Sequence, residues 1–130
     1  MAVSNADIAR EAVNALQAGD LERLAALTTP DSEFSPLRAG ITGAFYGPEG
    51  IAAFLQDTQE TFDKFEIKYD TYEELDDGRV LAAGTFITRG RGSTAETEVH
   101  SAAVFEFRDG KISRVFDHGD EAAARRAISG

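Results

Sequence analysis

Apolar positions recur with helical spacing in the first half of the chain and alternate with polar ones in the second. In SNADIAREAVNALQAGDLERLAAL, Ile8, Ala12 and Leu16 form one stripe, and Ser4 and Asp7 have the spacing of a capped helix start. Ala18-Gly19-Asp20 breaks that helix, and Asp20 caps a short second one carrying Leu21, Leu24 and Leu27, which Thr29-Pro30 stops. DSEFSPLRAG is a short extended piece followed by a loop rich in Gly, Pro and aromatics through Gly47. GPEGIAAFLQDTQETFDKF predicts a third helix, with Pro48 in its first turn and Ile51, Phe54, Leu55 and Phe62 spaced along it.

From Glu66 onward the period becomes two. FEIKYDTYEEL, GRVLAAGTFITRG, TEVHSAAVFEFR and KISRVFDH predict four strands, separated by the turn signals DDG, RGRGST and RDG. DEAAARRAIS predicts a last helical turn or two. Three helices followed by a four-strand antiparallel meander make one α+β domain over residues 1–130, because the apolar face of the sheet must be covered by the helices. A curved sheet wrapped on helices leaves a cone with a mouth, a place where pockets form.

Composition narrows the chemistry. Lys+Arg total 13 against 23 Asp+Glu, and the net charge of −10 argues against nucleic acid as a partner. Cysteine is absent, which removes disulfides, thiolate zinc sites and a cysteine nucleophile. No run of about 18 apolar residues and no charged-then-apolar leader is present, so a soluble, cytoplasmic protein without membrane contact is expected. A neutral or weakly polar small molecule is the natural ligand for such a surface. RGRGST lacks the strand-turn-helix context of a phosphate loop, and no nucleophile-elbow motif occurs.

NALQAGDLERLAALTTPDSEFSP, YGPEGIAAFL and FEFRDGKISRVFDHGD resemble the helix hairpin, third-helix entry and last hairpin of the SnoaL-like polyketide cyclase group, within the nuclear-transport-factor-2-like superfamily. The resemblance covers nearly the whole chain. It implies the cone-shaped, cystatin-like α+β roll shared with ketosteroid isomerases, a fold that hosts isomerases, cyclases, hydrolases, dehydratases and non-catalytic binders. Its isomerase branch uses a tyrosine, an aspartate base and a protonated aspartic acid at positions that here hold Ala12, Ser35 and Ala103, so that mechanism is disfavoured. Its cyclases carry a last-strand pattern that GKISRVFD matches, with Phe116 in place of a tryptophan, and this puts Asp117 at the position of the proposed acid/base.

Which side chains of the last hairpin face the cone depends on its turn. A two-residue Asp109-Gly110 loop pairs Arg108 with Lys111 and groups Phe105, Phe107, Ile112, Phe116 and His118 on one face. A three-residue loop pairs Phe107 with Lys111 and groups Ser101, Ala103, Phe105, Val115 and Asp117 instead. Apolar counting favours the first and the family resemblance the second, which we adopt. Ile112, Phe116 and a facing pair of His100 and His118 then lie on the outer face, where the resemblance implies a homodimer.

The resulting expectation is a cofactor-free cyclase or isomerase with Asp117 as acid/base, its burial raising the carboxyl pKa. Ser35 or Ser101 would orient the ligand's oxygen, and Phe105, Val115, Tyr46 and Phe54 would line the pocket. The alternative is a non-catalytic binding or dimeric interaction module of the same fold. A hydrolase relay of Asp-Arg-Asp type is disfavoured, since Arg114 and Asp117 fall on opposite faces. His100 and His118 with Asp120 lack a third ordered ligand, so no metal is expected.

Overall fold

A computed structural model describes residues 4–36 and 44–129; the part of the expected glycine-rich loop from Leu37 to Gly43 lies outside the described residues. Helix α1 spans Asn5–Ala18 and starts as its sequence dictates, with the Ser4 hydroxyl accepting the Asp7 N–H. It ends at Gly19 in the left-handed conformation, where the Gly19 and Asp20 N–H groups bond back to Leu16 and Ala15. Asp20 then caps α2, Leu21–Leu27. Ala9, Ala12, Val13 and Ala15 of α1 and Leu24 of α2 are buried, so the hairpin presents small side chains to the sheet and comes close to it.

The remaining elements are β1 (Thr28–Ser35), β2 (Phe45–Tyr46), α3 (Gly47–Thr61), β3 (Phe62–Glu74), β4 (Val80–Gly90), β5 (Glu96–Arg108), β6 (Lys111–Asp117) and α4 (Glu121–Ser129). One six-stranded sheet runs in the order β2-β1-β6-β5-β4-β3. The expected meander is present as β3 to β6, but the sheet is mixed, because β1 joins it parallel to β6. Pattern alone missed that pairing: the short extended piece after α2 has its partner at the other end of the chain. The third helix is also shorter than expected. It stops at Thr61, and Phe62 to Phe65 open the long strand β3, where Phe65 faces inward with Ile67 and Tyr69.

The hairpin joining β5 to β6 combines both expected registers. Its turn is the two-residue one, with Arg108 paired to Lys111 and both Asp109 (φ 54°) and Gly110 (φ 78°) in the left-handed region. Phe107 pairs with Ile112, but Glu106 pairs with Arg114, so Ser113 is an extra residue in a β-bulge. Beyond it Phe105 faces Val115 and Ala103 faces Asp117, which returns the odd-numbered residues of both strands to one face.

Two expectations fail here for that reason. Ile112, placed on the outer face, lies before the bulge and is buried in the inner core with Val80, Ala82 and Phe105. His100 and His118 do not face one another: His100 pairs with Thr85, while the His118 N–H bonds to the carbonyl of Ala102.

Helices α1, α2 and α3 cover the concave face. Helix α4 turns back over the opposite face, where Ala124 and Ile128 pack on Leu81, Ala102 and Val104. The chain's own tail therefore covers Leu81, Ala102 and Val104 on that face.

Candidate functional site: a carboxyl group at an apolar cavity

Between helices and sheet lies a cavity of about 90 Å³. Its helical side is formed by Ala12, Val13 and Leu16 of α1, Leu24 of α2 and Ile51 and Phe54 of α3. The strands add the inward-facing Phe65, Ile67 and Phe86 and, from the closing hairpin, Phe105, Ile112 and Val115. Phe54 is the hub of the aromatic wall. Its ring meets Phe34 edge-on at 4.8 Å between centroids and packs edge-on against Phe45 at 5.6 Å and Phe65 at 6.3 Å, an arrangement that fixes it in place.

Asp117 is the buried acid of this wall, and the half-buried Glu33 borders it from β1. Asp117 ends β6 on the inner face because of the Ser113 bulge, and only 5% of its surface is exposed. Its Oδ2 accepts a hydrogen bond from the Ser101 hydroxyl at 2.9 Å, and its Oδ1 accepts the Gly119 N–H at 2.9 Å. Among the described residues no basic side chain lines the cavity. Loss of solvent pushes the Asp117 carboxyl above the usual carboxylate range, and the hydrogen bonds from Gly119 and Ser101, together with the adjacent His118, offset that only partly.

Ser101 is held from both sides. The Tyr69 hydroxyl lies 3.0 Å from its Oγ, and because Ser101 spends its single proton on Asp117, Tyr69 is the donor in that contact. A chain of hydroxyls therefore runs Tyr69 to Ser101 to Asp117. Tyr69 is half-buried, and its loss of solvent together with the Asp117 charge raises its phenol pKa far above the ordinary value. Sequence reasoning passed over Tyr69. The signal was available, since Phe65, Ile67 and Tyr69 alternate inward along β3.

The other expected site residues divide. Phe105, Val115 and Phe54 line the cavity, and Ser101 reaches it through its hydrogen bonds. Ser35 does not line it: it sits opposite Phe116 on β1, on the outer face, and its hydroxyl points to Glu33 at 3.4 Å. On that strand the inward residues are Ser32 and Phe34, so the hydroxyl that β1 contributes to the wall is Ser32. Tyr46 is 63% exposed and away from the cavity, whereas its neighbour Phe45 packs on Phe34 and Phe54. Among the described residues no group of three or more His, Asp or Glu side chains is placed to hold a metal ion. Arg114 lies on the outer face, near Glu33 and Glu106 and with its guanidinium over the Phe116 ring, opposite in direction to Asp117.

Comparison with known proteins gives the following. The model of the SnoaL-like domain family matches residues 9–115. No curated protein matches the chain. Among solved structures, Bal32a from a soil-derived mobile gene cassette is 28% identical, with a TM-score of 0.76 over 88% of this chain and 87% of that one. TerC, co-crystallised with polyporic acid, is 22% identical with a TM-score of 0.77, covering 97% of this chain and 98% of its own. An NTF2-like protein of unknown function from Burkholderia pseudomallei superposes with a TM-score of 0.77 at 22% identity, covering 98% of this chain and all of its own. The last two likenesses establish a shared fold.

Proposed function

Since the chain belongs to the SnoaL-like domain family, whose match covers residues 9–115, we propose that it binds a small apolar cyclic or polyketide-like molecule in its cavity and moves a proton on it through Asp117, without a cofactor. The observation that carries this reading is the position of Asp117: a buried carboxyl group that accepts hydrogen bonds from Ser101 and Gly119, on the wall of a mostly apolar cavity with no Lys or Arg among its described lining residues. Burial brings such a group toward the pKa at which it can both take and return a proton near neutral pH. A protein of this fold has been crystallised with polyporic acid, which supports the cavity as a place for organic ligands.

The cavity's size narrows the ligand. A cavity needs about 10–15 Å³ of such volume to hold even one water, so about 90 Å³ has room for a few water-sized groups and no large ligand. A single small ring fits that room. A carbonyl beside an acidic C–H would give Asp117 a proton to move, and the apolar side chains that make up most of the described wall favour a neutral substrate.

The alternative is a binder that performs no chemistry. It is favoured by the outward turn of Ser35 and by Ala12 and Ala103, which bring no polar group to the cavity where related isomerases have theirs. Cyclohexanone separates the two readings, as a single-ring ketone whose α-hydrogen exchange in heavy water is followed by proton NMR. Under the catalytic reading the protein accelerates exchange, and Asp117→Asn binds the ketone equally well but loses the acceleration. Binding without acceleration in the unmodified protein leaves the binder.

A homodimer through the outer sheet face belongs to the same proposal, with Phe116 as its apolar contact now that Ile112 is known to face inward. Light scattering that returns a single-chain mass at high concentration removes it.

A further inference from the structure

The hydroxyl chain from Tyr69 to Asp117 has a direction, and its direction depends on charge. While Asp117 is ionised it can only accept, so Ser101 donates to Oδ2 at 2.9 Å and Tyr69 donates to Ser101 at 3.0 Å. The Tyr69 proton is then committed to Ser101. A protonated Asp117 is itself a donor, and Ser101 Oγ is the hydroxyl acceptor beside it. A Ser101 that accepts from Asp117 turns its own proton to Tyr69, and the Tyr69 proton becomes free for an acceptor in the cavity, whose wall Tyr69 also forms.

We propose that Tyr69 is the second catalytic group of the site, a hydrogen-bond donor to the substrate's developing oxyanion that is released through Ser101 at the moment Asp117 takes the proton. The inference rests on the proton-transfer reading above. In the step, the C–H bond next to a ketone carbonyl breaks, its proton forms an O–H bond on the Asp117 carboxyl, and its electron pair moves to the carbonyl oxygen as an enolate. Reversal of the two hydroxyls then presents the Tyr69 O–H to that oxygen. Proton return to the enolate, at the same or another carbon, restores the original direction, so no co-reactant is consumed.

The surroundings keep this switch local. The Tyr69 ring packs against Phe86 at 6.0 Å and Tyr72 at 5.9 Å, and the sheet partner of Tyr69 is Gly84. Among the described residues the charged and titratable groups around the chain are His118, next to Asp117 past the end of β6, Tyr72 beside Tyr69 on β3, and Arg10 of α1, whose guanidinium lies 4.8 Å from the Tyr72 ring centre, with Asp70, His100, Asp120 and Glu121 sharing a surface recess with Ser101. Glu33 borders the cavity from β1 but lies 3.8 Å from Arg114 on the outer side.

Two readouts test the proposal, one of which needs no substrate. With tyrosine labelled at the ring carbon that bears the hydroxyl, the Tyr69 resonance of the ligand-free protein is expected to shift with the same midpoint as the Asp117 carboxyl, and to lose that response in Ser101→Ala. A Tyr69 resonance that stays flat while Asp117 titrates overturns the coupling. In the second readout, Tyr69→Phe keeps the ring packing and is expected to slow cyclohexanone exchange roughly 10²-fold, as loss of one oxyanion donor does. Exchange at the unmodified rate in Tyr69→Phe, with Asp117→Asn inactive, removes Tyr69 and leaves Asp117 standing. If the unmodified protein gives no exchange, the catalytic reading fails with it, while the ring titration still decides whether the two groups are coupled.

Discussion

Tyr69 and Gly84 are paired across β3 and β4 so closely that a Cβ on Gly84 would lie 2.0 Å from the Lys68 carbonyl oxygen and 2.7 Å from the Tyr69 Cα. The register shifts between Tyr69 and Thr71, so the approach marks the bulge at which β3 bends and aims Tyr69 at Ser101. Gly84→Ala must push backbone atoms apart, at a cost of about 1–3 kcal/mol, as overpacking does. Denaturant unfolding should show a lower midpoint with an unchanged slope, and an unchanged midpoint would mean that the strands separate freely there.

The raised pKa of Asp117 makes a signed prediction about stability. An unfolded aspartate titrates near 3.8, and the folded carboxyl holds its proton to higher pH because burial disfavours its charge. Between the two midpoints the native state binds more protons than the unfolded one, so this residue's contribution to stability falls as pH rises through that window and stays low above it. Asp117→Asn lacks the effect. The stability of the variant relative to the unmodified protein should therefore grow as pH rises from below 3.8 to neutral. A difference that is flat with pH would show that the carboxyl is not shifted.

Gln17 protects the outer edge of the sheet. Its side-chain oxygen accepts the Ile67 N–H at 2.6 Å and its amide nitrogen donates to the Phe65 carbonyl at 2.7 Å, so the amide imitates a neighbouring strand. Both bonds are exposed, and Gln17→Ala should cost only about 1 kcal/mol. Its larger effect is expected in solution behaviour: concentration-dependent association through β3, read by light scattering, where the unmodified protein shows none through that edge.

Deleting Ser113 removes the bulge. The pairing of Arg108 with Lys111 and of Phe107 with Ile112 would then run on unbroken into Glu106 with Arg114, Phe105 with Val115 and Ala103 with Asp117, so Asp117 keeps its inward face. Only the local twist of the bulge is lost, so the deletion variant should still fold, and denaturant unfolding should show a cost of about 0.5–3 kcal/mol, the usual range for a single change. Its Asp117 carboxyl should keep a raised pKa, and one that titrates like a free aspartate would show that the strand has slipped register instead of closing up.

The helices were readable because their apolar stripes and caps are local, as Ser4 and Asp20 show. The four long strands were readable because alternation is local too. What the sequence could not reveal was non-local. The parallel partner of β1 is about eighty residues away, and nothing in TTPDSEFS names it. The bulge at Ser113 was hidden for a different reason: the turn residues argue for one register and the inward residues for the other, and only an inserted residue between them satisfies both. That conflict also explains Ile112, which follows the turn, and Asp117, which follows the core. Ser35 was misassigned by one step of alternation, and the hydroxyl that reaches the cavity from β1 belongs to Ser32.

The distribution of phenol rings gives the molecule a built-in optical gauge. Tryptophan is absent and tyrosine occurs three times. Tyr46 lies in water, Tyr72 under the Arg10 guanidinium, and only Tyr69 borders the cavity. A guest that enters will therefore disturb one fluorophore of three with no indole emission to mask it, and occupancy can be followed in the near ultraviolet without dye or label.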